Sequence, residues 1–272
     1  MTGFTQSYAS GTSDVPLIGA TIGAQFDTAA ARWADRDALI VRGQDIRWSW
    51  ADLKERVDAF AAGLMDLGLA PRSRIGIWAP NCAEWTITQF ATAKAGLILV
   101  NINPAYRLAE LEYALNKVGC TALVTAAAFK TSDYLGMIRE LAPELDGAAP
   151  GSLKSARLRD LRHVIHIGGG NVPGAWAFED VLQRGKAAGQ AAVDALAPGL
   201  QFDDHINIQF TSGTTGSPKG ATLTHHNILN NGFFVGRAQA LGEDDRICIP
   251  VPLYHCFGMV MGNLASVTHG AA

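Results

Sequence analysis

From Arg74 to Thr125 the chain alternates short apolar runs with stretches of helical period, and this alternation limits the fold more than any other feature. Arg74 to Ala79 reads as a strand. Pro80-Asn81 breaks it, and a helix from Cys82 to Ala95 follows, with Asn81 as its expected cap and Glu84 at the capping-box position. Leu97 to Ile102 is the next strand. Leu108, Leu111, Leu115 and Val118 then mark one face of a helix that Gly119 stops, and Ala122 to Thr125 is strand again. Strands joined by helical connections of this length run parallel. The expected fold class is therefore α/β: an open, mostly parallel sheet with flanking helices.

The flanking regions extend the same pattern. Residues 1 to 20 are polar and read as a loosely ordered lead. Thr21 to Ala34 forms a helix with Ile22, Phe26, Ala29, Ala30 and Trp33 on one face, and Ala38 to Arg42 with Ile46 to Trp48 reads as a hairpin. Ser49 caps a further helix, with Asp52 three residues on, and Gly68 ends it. Residues 143 to 160 read as an insertion loop. His163 to Ile167 is a strand ending in three glycines; G-x-G-x-x-G would need glycine at Pro173, so the triplet is a turn and not a dinucleotide site. Phe178 to Ala188 is helical, and Ala191 to Asp203 is a link. Thr224 caps a helix reaching about Ala240, Arg246 to Pro252 reads as a strand, and Leu253 to Gly258 leads into a last helix. These elements divide into a first α/β subdomain, 21 to 190, and the start of a second, 191 to 272.

At 272 residues with 48% hydrophobic content the chain can bury a substantial core. A net charge of -3 gives no basic field for nucleic acid. The four cysteines, 82, 120, 248 and 256, are scattered without metal-ligand spacing, and read as free thiols of a reducing compartment. Residues 1 to 20 lack the features of a signal peptide, and no apolar run is long enough to span a bilayer. The expected location is cytoplasmic; peripheral membrane contact and oligomeric state stay open.

One segment cannot build core: Phe210 to Gly220, FTSGTTGSPKG. Its glycines allow close approach of backbone to a ligand, its hydroxyls offer short hydrogen bonds, and Lys219 adds a mobile cation. These are the needs of a phosphate cradle. Apolar runs at Ile206 to Phe210 and Ala221 to Leu223 make it a strand-loop-strand turn, and neither spacing nor context fits a Walker loop. A plain flexible hairpin connection would have similar composition. The acidic pairs and triplets Asp203-Asp204 and Glu243-Asp244-Asp245 read as solvated turns, and the histidines other than 255 as ordinary structural ones.

Three further stretches accompany the loop. TSGTTGSPKG (211 to 220) resembles the phosphate-loop signature of the AMP-forming adenylating enzymes. WSWADL (48 to 53) and AKAGLILVNINPAYR (93 to 107) resemble that superfamily's first two core motifs, which pack the sheet, and VPLYHCFG (251 to 258) resembles the motif after the loop in its acyl-CoA synthetase form. The resemblance implies an incomplete N-terminal domain of an acyl-CoA synthetase-like fold, using ATP, Mg2+ and coenzyme A to convert a carboxylic acid, expected to be fatty, into acyl-AMP and then acyl-CoA. By resemblance Thr211, Ser212, Gly213, Thr214, Thr215, Gly216, Ser217, Pro218 and Lys219 bind the nucleotide, with Thr214 on the metal and Lys219 at the β- and γ-phosphates. Tyr254, His255, Phe257 and Gly258 line the acid site, and His255, Thr214 and Lys219 take part in catalysis. The family's magnesium glutamate, ribose-binding aspartate and adenylation lysine would lie past Ala272, so these residues alone are expected to be inactive. Two other readings remain: another adenylating enzyme of the superfamily, acting on amino acids or luciferase-like, and a truncated non-catalytic module that binds nucleotide or a partner.

Overall fold

Alternating apolar runs and amphipathic helices wind onto one seven-stranded sheet. The computed structural model describes residues 14–211 and 217–272. Along the chain lie α1 (Ile22–Arg32), β1 (Asp37–Val41), β2 (Ile46–Ser49), α2 (Trp50–Asp66), β3 (Arg74–Trp78), α3 (Ala83–Lys94), β4 (Ile98–Asn101), α4 (Leu108–Val118) and β5 (Cys120–Ala126). Two short strands, β6 (Ala128–Phe129) and β7 (Ser132–Asp133), precede α5 (Tyr134–Leu141). Then come β8 (His163–Ile167), β9 (Trp176–Ala177), α6 (Phe178–Ala188), α7 (Ala191–Leu196), β10 (His205–Thr211), β11 (Lys219–Thr224) and α8 (His225–Ala238). A last helical run comprises Cys256–Gly258, a π-helical Met259–Leu264 and Ala265–His269.

The sheet order is β11-β10-β4-β3-β5-β8-β9, parallel throughout except that β11 runs back along β10. The chain steps from β3 to β4 on one side, then crosses back over β3 to β5. Right-handed connections in opposite directions put α3 and α4 on opposite faces. The core divides accordingly. Phe90 and Trp85 of α3 pack with Ile75, Ile77 and Leu99, whereas Leu111 and Leu115 of α4 pack with Val100 and Leu123. Connections leaving adjacent strands for opposite faces open a crevice at the carboxyl ends of β3 and β4, where open α/β sheets bind ligands.

Close backbone approach fixes the outer layer. Where α2 meets α6, a Cβ on Gly185 would stand 1.7 Å from the Ala59 carbonyl oxygen, and one on Gly63 would stand 2.1 Å from that of Val181. No larger residue fits. The expected subdomain boundary near residue 190 falls between α6 and α7, and strands from both sides of it pair in the same sheet. Within the expected loose lead, Ile18 exchanges both backbone hydrogen bonds with the Asn230 side chain, at 2.7 and 3.1 Å.

Several sequence expectations are met closely. Ser49 and Asp52 form a capping box, Thr224 caps α8, Gly119 closes α4 in the left-handed conformation, and α6 spans the expected residues. Others need correction. Asn81 does not cap α3: the N-cap is Cys82, and the amide of Ala83 finds the Gln44 side chain at 2.8 Å instead. Asn81 is occupied elsewhere, holding the 249–253 segment. Arg246 to Pro252 is not a ladder strand among the described residues. Its backbone bonds to Ala272 and to the Asn81 side chain, so it is extended without a sheet neighbour. The 191–203 link contains α7, and α5 arises where no helix was expected.

Candidate active site

The phosphate-loop segment hangs from the carboxyl end of β10. Antiparallel pairing of β10 with β11 runs to Thr211 opposite Lys219, so the ladder closes directly beneath the loop. The residues Ser212, Gly213, Thr214, Thr215 and Gly216 lie outside the described residues. Of the flanking candidates, Thr211, Ser217 and Lys219 are exposed and Pro218 is half-buried. The Tyr113 hydroxyl donates to the Pro218 carbonyl at 3.0 Å, tying the loop's exit to α4.

The histidine turn meets the same edge of the sheet. Parallel pairing sets Gln209 of β10 opposite Asn101 of β4, and the Asn101 amide donates to the carbonyl of Tyr254 at 2.7 Å. Asn207 donates to the Asn101 side-chain oxygen at 2.9 Å and to the Leu99 carbonyl at 3.0 Å. One buried sulfur gathers the rest: Met259 Sδ accepts from Asn101 at 3.1 Å and from Gln209 at 3.3 Å, while its carbonyl accepts from Gln89 at 3.2 Å. Asn81 holds the approach, accepting from Leu253 N at 2.7 Å and donating to the Val251 carbonyl at 2.9 Å. A buried amide left unpaired costs about 1–3 kcal/mol. This network therefore fixes the turn against the strands that carry the loop.

His255 is extended and caps the helical run that follows, its Nδ1 accepting from the amide of Phe257 at 3.1 Å. Because Nδ1 is an acceptor, the proton of the neutral ring sits on Nε2. The exposed imidazole thus presents a donor. Gly258 is required sterically, since a Cβ there would stand 2.6 Å from the Pro252 carbonyl oxygen. Phe257 leaves half its surface, 50%, in solvent. Tyr254 meets the His255 ring edge-on, with centroids 6.3 Å apart. Burial first, then neighbouring Tyr254, Glu110 and Tyr113, push the Tyr106 hydroxyl above its ordinary range, so it stays protonated at neutral pH.

The fold gathers the described candidates, Thr211, Ser217, Pro218, Lys219, Tyr254, His255, Phe257 and Gly258, at one edge of the sheet. Sequence reasoning missed Asn81, Asn101, Asn207, Gln209, Tyr106 and Tyr113. A signal was present for three of them: Asn207 and Gln209 alternate with Ile206 and Ile208 in a strand, and Asn101 ends another, polar groups where core is expected. No cluster of three or more His, Cys, Asp or Glu side chains among the described residues is placed to hold a metal. All four cysteines are free.

The AMP-binding enzyme family model matches residues 26–272. The chain belongs to the AMP-binding enzyme family. It is 45% identical over 268 residues to a mitochondrial medium-chain acyl-CoA ligase of Danio rerio, covering 98% of this chain and 44% of the relative. The Homo sapiens mitochondrial medium-chain acyl-CoA ligase is 45% identical over 272 residues, covering 97% of this chain and 44% of the relative. The crystal structure of the anthranilate CoA ligase AuaEII in complex with anthranoyl-AMP superposes with a TM-score of 0.79 at 22% identity, covering 95% of this chain and 45% of that one, a likeness of fold. This AMP-binding domain spans less than half the length of those curated relatives. Among its described residues no helix is long and apolar enough to cross a membrane.

Proposed function

We propose that the protein carrying this domain activates a carboxylic acid with ATP and transfers the acyl group to coenzyme A. A carboxylate oxygen attacks the α-phosphorus and pyrophosphate leaves; the thiol sulfur of coenzyme A then attacks the acyl carbon and AMP leaves. The observation that carries this reading is the joining of two motifs at one sheet edge, with Asn101 holding the Tyr254-His255 turn beside the strand that bears the loop. Medium-chain aliphatic acids are the favoured substrates, supported by the relatives at 45% identity.

Backbone amides from Ser212 to Gly216, with Thr211 and Ser217, would receive the phosphate oxygens, and Lys219 would offset charge at the β- and γ-phosphates. Preorganised donors of this kind act where charge develops. The Nε2 proton of His255 would orient the acid between Tyr254 and Phe257, above the bend that Gly258 permits. Thr214 would contribute to Mg2+, which commonly takes most of its ligands from substrate phosphates and water. The described side chains supply no metal cluster of their own, so this assignment rests on Thr214 and the nucleotide. When bound, Mg2+ would neutralise phosphate charge.

Coenzyme A-dependent release of AMP from ATP and octanoate by the native gene product tests the reading. Lys219→Ala should lower the rate at least tenfold. Release that needs an amino acid instead and ignores coenzyme A would favour the amino-acid adenylating alternative; ATP binding without turnover would favour the non-catalytic one. Cytoplasm is the proposed location, the relatives' names make mitochondria the competing one, and cell fractionation decides between them.

A further inference from the structure

The segment with the phosphate-binding motif enters at Phe210 and leaves at Pro218, and a single side chain touches both ends. Tyr113 lies on α4, half-buried, on the face of the sheet opposite α3. Its ring meets Phe210 edge-on with centroids 6.5 Å apart, and its hydroxyl donates to the Pro218 carbonyl at 3.0 Å. The same helix closes on the hairpin one turn further along. A Cβ built on Gly220 would stand 3.5 Å from Val118 Cγ1, an ordinary packing distance, so α4 lies directly over β11 at this point.

β11 is the edge strand, half of its residues exposed and none buried, with only β10 beside it. A strand paired on one side only is prone to fray, and its end rungs would be the first to open. The Tyr113 bond is placed at that weak point, on the residue before Lys219. We infer that Tyr113 is a positioning residue for the phosphate loop, fixing the separation of its two ends and with it the placement of Lys219. The inference rests on the reading of the loop as a nucleotide site only for its functional consequence; the mechanical part stands on the contacts.

Hydrogen exchange and Mg-ATP titration on residues 1–272 test it, comparing wild type, Tyr113→Phe and Tyr113→Leu. Tyr113→Phe removes the hydroxyl alone. It should speed exchange of the amides from Lys219 to Thr222 and weaken Mg-ATP binding, each by about fivefold, the equivalent of one hydrogen bond of about 1 kcal/mol. Exchange in β3 and β5 should not change. Tyr113→Leu, which also loses the contact with Phe210, should have the larger effect at the same amides. Unchanged exchange at Lys219 to Thr222 in Tyr113→Phe would overturn the inference, as would exchange quickened equally across the whole sheet. Should residues 1–272 not bind Mg-ATP, the binding comparison is made on the native gene product, while the exchange comparison still decides whether Tyr113 holds the loop's ends.

Discussion

β10 and the stretch from Arg246 to Pro252 have the same kind of sequence, isoleucine at every second position, yet the fold treats them differently. Ile206 and Ile208 belong to a strand zipped on one side to β4 and on the other to β11. Ile247 and Ile249 belong to an extended segment with no ladder among the described residues. There the amide of Ile247 donates to the Ala272 carbonyl at 2.9 Å, and the amide of Ala272 donates to that of Asp245 at 3.0 Å. Beside it lies a cavity of about 420 Å³ reaching β1, Trp50, Phe90 and Val267. Alternation reports that a segment is extended and half-buried. Which neighbour satisfies its backbone is decided by the rest of the molecule.

If that contrast is correct, the sheet-borne half should resist change and the Arg246–Pro252 side should be accessible. The largest effect is expected at the support of the sheet. Gly185→Ala forces a methyl against the Ala59 carbonyl and should lower stability by about 3 kcal/mol, read as a shift in the urea midpoint.

Acid should weaken the foot of the hairpin next. His225 is buried, accepts the Ile22 amide at Nδ1 over 3.0 Å, and burial pushes its pKa down to about 4 from 6.5. The unfolded chain binds a proton that the folded one refuses. Stability is thus complete above pH 6.5 and falls as the pH drops to about 4, by up to about 3 kcal/mol. Urea melts of His225→Gln should lose most of that slope.

Asn101→Leu strands the Tyr254 carbonyl and leaves the Asn207 amide with the Leu99 carbonyl alone, and should cost about 1–3 kcal/mol. Its signature is local: exchange should quicken from Tyr254 to Met259 more than in β3. An even change across the sheet would make Asn101 merely a core residue.

The smallest perturbation sharpens the contrast without a mutation. Cys248 and Cys256 are exposed, whereas burial pushes the thiols of Cys82 and Cys120 up to about 12. A disulfide reagent should modify the exposed pair rapidly in the native chain, half-buried Cys82 slowly and buried Cys120 only as the chain unfolds. Rapid loss of all four thiols would deny the difference in packing.

Much of this was legible in the residues because it depends on local rules. The β3-α3-β4-α4-β5 series follows from apolar period and from Gly119. The Ser49 and Thr224 caps follow from short polar side chains three residues before a partner. Legibility failed where a residue's partner lies far along the chain. Asn81 has the chemistry of a helix cap, but its amide reaches the carbonyl of Val251, 170 positions away. Tyr113 reads as one position on an amphipathic helix until topology brings Pro218, 105 positions on, to its hydroxyl. The motifs marked both ends of the site, whereas the buried amides joining them appeared in sequence only as polar residues in apolar strands.

The most direct test of the claim that loop and histidine turn form one site is an amide-resolved titration of residues 1–272 with Mg-ATP. The account predicts shifts concentrated at Gln209 to Gly220, with a second group at Tyr254 to Met259 transmitted through Asn101. Shifts confined to the cavity beside Ile247 and Ile249, or none at either segment, would contradict it.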